Sequence, residues 1–402
     1  MSLLEAPVTS GLTVSVCRDP EEFHALADAW DRLHARCGAA TPFQTHAWLS
    51  SWWQAYGRPG RLRVVLVRCG GELVGAAPLM LAHRPLPVLL PIGTGISDFA
   101  DVIVDDTQAA TALPALVEGL ERAARRHVVD LREVRPGAAA QRVFEAWRGP
   151  RHRTADSLCL ELPALDMDGL IGRLATSRAQ RARAKLRKLD AAGITARTVT
   201  GADEVRRAIG TLLALHALQW QGRGVTQEHL SARFAEHLGR AAASMVAGGH
   251  AVVTLYDLDG ETVAANLSLR SGQLSGGYLY GVDPRVRARK LDAACLLLRE
   301  DAEGAVRAGC SVISLLRGDE PYKQHWKPDP VANQRLLLAG AGAGAGALLG
   351  VYRAQVEGRR RAVRTVRAQA PALAAWRRRA GAMLARAGTK GGRPAEGEDR
   401  EG

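Results

Sequence analysis

Phe23, Leu26, Ala27, Trp30 and Leu33 recur every three or four positions, which predicts a helix over residues 20–37 opened by Asp19 or Pro20. THAWLSSWWQAYG (45–57) reads as a second helix, with Thr45 at its start and Gly57 at its end. The pattern then changes. LRVVLVRCGGELVGAAPLMLA (62–82) carries two β-branched runs around Gly70-Gly71, a hairpin whose turn needs positive φ. Helical spacing returns over 104–127, and VVDLREV (128–134) reads as a strand.

The second half follows the same order. A helical pattern runs from Leu162 to Gly193, then ITARTVT (194–200) reads as a strand. Residues 203–220 and 229–249 are helical, and 250–282 form a three-stranded meander with turns at Asp259-Gly260 and Ser271-Gly272. A helix over 288–310 leads into the strand SVISLL (311–316). Each half thus holds a hairpin, a helix and a strand in matching slots. Gly71-Glu72-Leu73-Val74-Gly75-Ala76 corresponds to Gly260-Glu261-Thr262-Val263-Ala264-Ala265, which favours an internal duplication. The expected organisation is a first lobe at 1–152, a second at 153–338 and a tail at 339–402. The tail opens on the low-complexity run AGAGAGAGALLG, continues as an Arg/Ala-rich helix broken at Pro371, and ends in a disordered stretch.

The net charge of +13 is not spread evenly. Residues 169–189 hold seven cations and no acid, and residues 351–402 carry a net +8, so the remainder is near −2. A nearly neutral globule therefore bears one basic helix (177–189) and one basic tail. The helix reads either as a solvated surface or as an electrostatic collar for phosphates of a coenzyme, a nucleotide-linked lipid or tRNA. The tail, with its Arg359-Arg360-Arg361 and Arg377-Arg378-Arg379 triplets around Leu373 and Trp376, would suit an anionic membrane surface or a nucleic acid.

No apolar run reaches 18 residues, so no transmembrane segment is expected. The N-terminus lacks a basic region followed by an apolar block, and the six cysteines are scattered, which suits a reducing cytoplasm, with peripheral attachment at the inner membrane face as a variant. Cys295 and Cys310 read as core residues. The eleven histidines show no HxxxH or HExxH spacing, so no metal site is expected; GxxxxGK[ST], strand-linked GxGxxG and GxSxG are missing too.

Chemistry concentrates in LLRGDEPYKQHW (315–326), just past the last strand. Gly318 lets the chain turn and Pro321 fixes φ, holding the intervening side chains at the C-terminal edge of a strand, where α/β folds build ligand sites. Asp319 or Glu320 would take a proton from an attacking amine or alcohol, Tyr322 would donate to a leaving thiolate or oxyanion, and Lys323 would pair with a phosphate. The structural alternative has the acids pair with Arg317 or Lys323 and fix the turn. SGGYLYGVDP (275–284) sets Tyr278 and Tyr280 on one strand face, as cleft wall or core rim. His216 and Trp220 share a helix face before Gln221-Gly222-Arg223-Gly224, as packing or as substrate contacts alongside Arg317.

LRGDEPYKQHW, GYLYGVDP, LHALQWQGRG, the basic helix and the early FQTHAWLSSWW together resemble a GNAT-superfamily acetyltransferase type known from cellulose biosynthesis, akin to the Fem-type aminoacyltransferases. The resemblance spans about 13–338. It implies an α/β fold of two tandem GNAT-like lobes, each a mixed, mostly antiparallel sheet flanked by helices, with the basic helical tail appended. It implies acyl transfer from acetyl-CoA or another acyl-CoA to an amine or hydroxyl of a sugar or cell-envelope precursor. Relatives cradle the coenzyme pyrophosphate on a glycine-rich turn; here that slot, 284–293, has no glycine, and Arg287, Arg289 and Lys290 would substitute charge for amides. The alternatives are a Fem-like transferase using aminoacyl-tRNA and a non-enzymatic module tethered to lipid or nucleic acid.

Overall fold

The hairpin patterns form as their alternation predicts, and Gly70 and Gly71 take φ of 56° and 87° at the first turn. The computed structural model describes residues 11–83, 85–221, 226–363 and 365. Its strands in the first half are β1 (Leu12–Cys17), β2 (Leu62–Cys69), β3 (Glu72–His83), β4 (Pro87–Pro91), β5 (Ile103–Val104) and β6 (Val128–Val134). After β7 (Arg151–Pro163) come β8 (Thr195–Val199), β9 (Ala251–Leu258), β10 (Glu261–Arg270), β11 (Leu274–Val282), β12 (Val312–Arg317) and β13 (Asp329–Ala339).

These strands make one mixed sheet in the order β1-β2-β3-β4-β6-β13-β7-β12-β11-β10-β9-β8, with β5 beside β3. The order reads alike from both ends, as a duplication requires. Pairing is antiparallel except at β4/β6 and β11/β12, one parallel pair in each half. At the centre the halves exchange strands. β7 follows β6 in the chain but pairs with β12, while β13 follows β12 and returns to β6. The two exchanged strands then pair with each other over most of their length.

Helices cover both faces. On one, α1 (His46–Tyr56) of the first half packs against α5 (Ala232–Ala247) of the second, which in turn packs against α4 (Ala202–Gln219), around a shared core that includes Trp30, Trp48, Leu212 and Phe234. On the other, α2 (Ala109–Ala123) covers the first half, while α3 (Thr176–Ala191) and α6 (Ala293–Arg307) cover the second. Cys295 and Cys310 are buried in this last core.

Capping side chains divide helices that periodicity alone runs together. Asp166 accepts from the Gly169 amide at 2.7 Å and caps a short helix (167–172) before α3 begins. Asp292 likewise caps α6, so the expected 288–310 helix starts at Ala293, behind a separate turn at 284–288. The 20–37 pattern splits into Pro20–His24 and Ala27–Ala35. Part of the expected glycine-alanine linker is itself helical, from residue 345. Residues from Gly350 onward form a separate unit, helical over its described stretch 350–363; Pro371, Leu373, Trp376 and the second Arg triplet lie outside the described residues.

α4 rides directly on β11. A Cβ at Gly281 would lie 2.4 Å from the His216 amide nitrogen and 2.5 Å from Leu212 O, both backbone atoms that cannot yield. Gly281→Ala is therefore expected to cost about 1–3 kcal/mol through overpacking, read as a lower denaturation midpoint. An unchanged midpoint would mean that α4 does not sit this close to β11.

Candidate functional site

The turn after β12 is built from two left-handed residues, Leu316 (φ 58°) and Gly318 (φ 107°). Between them, Arg317 reaches into the first half. Its Nε donates to the Asp98 carboxylate and its Nη1 to Glu133 Oε1 at 3.2 Å. Glu133 also accepts from Ser157 Oγ and, at 3.3 Å, from Asn333 Nδ2. Burial pushes the Asp98 carboxyl up, with Arg317 pulling it back. Burial also opposes the Arg317 charge, yet Asp98 and Glu133 outweigh it and hold the guanidinium firmly protonated. Lys323 is buried, donates to Arg317 O at 2.9 Å and pairs with Glu320 at 2.8 Å. Asp319 and Glu320 are exposed and stand outside the cleft wall described next.

That cleft lies where β11 and β12 separate. Their parallel pairing is limited to Leu274/Val312 and Ser275/Ile313. Beyond these the strands diverge, and the wedge opens into a cavity of about 270 Å³. Its wall includes Tyr280, Leu297, Asp301, Tyr322, Lys323 and Trp326, together with Ala293 and Ala294 from the start of α6. Tyr322 is half-exposed, and burial, Tyr280 and Glu320 raise its phenol well above the ordinary range.

Tyr278 and Tyr280 do not share a face, contrary to the simple alternation. A bulge opposite Leu267/Ser268 inserts Tyr278 as an extra residue. Its ring packs on Phe43 and Trp48 and its hydroxyl donates to Ile96 O at 2.9 Å, whereas Tyr280 packs in the α6 core. His216 supports Tyr280 from behind: Nδ1 donates to Tyr280 O at 2.7 Å, which leaves Nε2 to accept from His229 Nδ1 at 3.2 Å. Burial lowers both imidazoles, His229 to about 4. Trp220 tilts against His216 at 6.2 Å, away from the cleft wall; Gly222, Arg223 and Gly224 lie outside the described residues.

Asp301 is the group that sequence reasoning missed. It projects from α6 toward the sheet, accepts from Asn266 Nδ2 at 2.9 Å and from Ser268 Oγ, and forms no ion pair among the described residues. Burial pushes its carboxyl up to about 6, with Ser268 and Asn266 opposing. Ala294, Leu297, Leu298, Asp301, Ala302 and Ala305 fall in one helical stripe, so an acid on the apolar phase was the available signal. A neighbouring cavity of about 220 Å³, also bordered by Asp301, has a polar wall of Thr254, Ser268, Arg270 and Ser275.

The 284–293 slot does not form an amide cradle. Arg285 pairs with Glu261 and Asp283, and Arg289 with Asp259 at 2.6 Å. Arg287 and Lys290 are exposed, Lys290 at φ 57°. The first turn of α6 is already served by Asp292, which accepts from Cys295 N at 2.9 Å and pairs with Lys185 at 2.7 Å. Among the described residues no cluster of three or more His, Cys, Asp or Glu is arranged to hold a metal ion, and no helix is long and apolar enough to cross a membrane.

A family model described as "Acetyltransferase (GNAT) domain" matches residues 4–90 and 176–324. The fold is similar to that of FemX, with a TM-score of 0.57 and 13% identity over 81% of this chain and 96% of that one. It is similar to a conserved protein of unknown function from Bacteroides thetaiotaomicron (0.52, 11%, covering 81% and 100%). It also resembles the C-terminal domain of a proposed lysylphosphatidylglycerol synthetase from Agrobacterium fabrum (0.52, 12%, covering 82% and 95%). No curated protein matches the chain.

Proposed function

The chain belongs to the GNAT acetyltransferase family, and from that premise we propose that it moves an acetyl or other acyl group from acyl-CoA to an amine or hydroxyl of a sugar or cell-envelope precursor. The observation that carries this reading is the meeting of a protonated phenol, Tyr322, and a half-buried carboxyl without an ion pair among the described residues, Asp301, on one cleft at the parting of two parallel strands. Environments that drive two titratable groups apart suit an acid and a base. The largely apolar cleft fits the thioester arm of the donor, and the polar cavity beside Asp301 supports an acceptor rich in hydroxyls.

The Asp301 carboxylate takes the proton from the attacking N–H or O–H. The freed lone pair attacks the thioester carbonyl. As the carbon–sulfur bond breaks, the Tyr322 hydroxyl gives its proton to the departing thiolate, and solvent exchange resets both groups. Tyr280, fixed through its carbonyl by His216, keeps Tyr322 company at the cleft wall.

Two measurements test this. Acetyl-CoA at millimolar concentration should raise the melting temperature, and mass spectrometry of ligands carried through purification should find a coenzyme thiol. Tyr322→Phe should lower kcat about 100-fold with little change in KM, as expected for loss of a general acid. A protein indifferent to CoA, or a fully active Y322F enzyme, refutes the assignment. The cationic run of α3 favours one second reading, a donor carried on tRNA; it predicts steeply salt-dependent tRNA affinity in place of CoA binding.

A further inference from the structure

The phosphates of the donor call for cations or free amides, and the expected slot at 284–293 has committed part of its set, leaving Arg287 and Lys290 exposed without an ion pair among the described residues. Arg285 and Arg289 are paired with acids of the β9–β10 turn and its neighbourhood, and the Cys295 amide in the first turn of α6 is taken by the Asp292 carboxylate. An incoming pyrophosphate there would meet the Asp292 carboxylate.

The neighbouring helix offers the opposite. On α3, Arg178, Arg181 and Lys185 stand at i, i+3 and i+7, on one flank of the face that buries Ala179, Ala182 and Leu189. Lys185 touches Asp292 at 2.7 Å, and the next two residues, Ala293 and Ala294, wall the cleft. The row therefore starts at the cleft mouth. With 1.5 Å of rise per residue, Arg178 lies about 10 Å farther along the helix axis, a span suited to two or three phosphates. The other side of the mouth is α7 (Pro321–Gln324), whose Tyr322 lines the cleft and which is followed by His325. Lys185, Arg178 and Arg181 all lie close enough to act on His325, where with burial they lower its proton affinity against the opposing Asp292. Arg178 and Arg181 have no acidic partner among the described residues, whereas Arg285 and Arg289 of the 284–293 slot are both paired with acids.

Resting on the transfer reading above, we infer that the α3 flank of Arg178, Arg181 and Lys185 is the binding site for the phosphoryl groups of a coenzyme-type acyl donor, in place of the turn before α6.

Calorimetric titration of the full chain with CoA and with pantetheine, which lacks the phosphates, tests the site. CoA should bind about 100-fold more tightly than pantetheine, as two charge-assisted contacts allow. Arg178→Ala with Arg181→Ala should remove most of that difference and leave pantetheine affinity unchanged. Arg178→Lys with Arg181→Lys, which keeps the charge, should restore part of it and shows that the fold is intact. Arg287→Ala with Arg289→Ala should change little. The inference is overturned if the α3 double variant binds CoA like the wild type, if the loss falls on the 287/289 pair, or if CoA and pantetheine bind equally. A wild-type protein that binds neither compound overturns the transfer reading itself, and the α3 assignment with it.

Discussion

Replacing Arg317 with alanine is expected to destabilise the protein by about 2 kcal/mol at neutral pH, because it strands two largely buried carboxylates that share one half-buried cation. Asp98 and Glu133 come from the first half, 219 and 184 residues away in sequence, so the guanidinium ties the turn after β12 to the opposite lobe. The pH dependence has a defined sign. Burial already holds the proton affinity of the Asp98 carboxyl above that of the unfolded chain, and losing Arg317 removes the charge that opposes this rise. Such groups cost nothing when protonated in both states and destabilise progressively as pH climbs through their folded pKa. Urea unfolding should therefore find the variant close to the wild type near pH 4 and farthest from it near pH 8. Adding Asp98→Asn and Glu133→Gln should recover most of the loss. A deficit independent of pH, or unrelieved by the neutral partners, would show that Arg317 matters only for packing.

Asp301→Asn should move stability and activity in opposite directions. The carboxyl is raised from 3.8 to about 6 by burial. It favours the fold only where it is protonated, and that favour is lost between about pH 4 and pH 6. At pH 8 the asparagine variant should be more stable by about 2–3 kcal/mol, at 1.36 kcal/mol per pKa unit. Transfer should fall by about 100- to 10,000-fold, the range of a lost general base, and the acid limb of the kcat/KM profile near pH 6 should vanish. Greater stability with unimpaired turnover would make Asp301 a mere relic of the core. Lower stability would mean that its carboxylate is satisfied in the fold after all.

How far the residues themselves announced this arrangement depended on the range of each interaction. The β2–β3 hairpin, the β9–β11 meander and helix α4 rest on local turns and periodicity, and they stand where the pattern placed them. The duplication showed as repeated order and returns as a symmetric sheet. β7 and β13 escaped notice because they lie in the sheet's centre yet carry polar residues: Arg335 forks onto Asp130 at 2.7 and 2.5 Å, and Asn333 sits against Glu133 and Ser157. Their polarity is answered only across the exchange, by partners that no short window contains. The polar turn at 317–323 was conspicuous, but its residues divide. Arg317 and Lys323 brace the fold, Tyr322 meets the cleft, and Asp319 faces solvent. Asp301 hid inside an ordinary amphipathic helix, since one acid among alanines and leucines looks like surface until the sheet beneath it is known.

The crossed strands also impose a schedule on synthesis. Val134 of β6 pairs with Gln334 of β13, two hundred residues downstream. At a ribosome speed of about 5–20 residues per second, the nascent first half waits roughly 10–40 s with one edge of its sheet unclosed. An open edge invites pairing with any strand at hand, so this chain is one for which a trigger-type chaperone or slow translation before β13 should matter to yield.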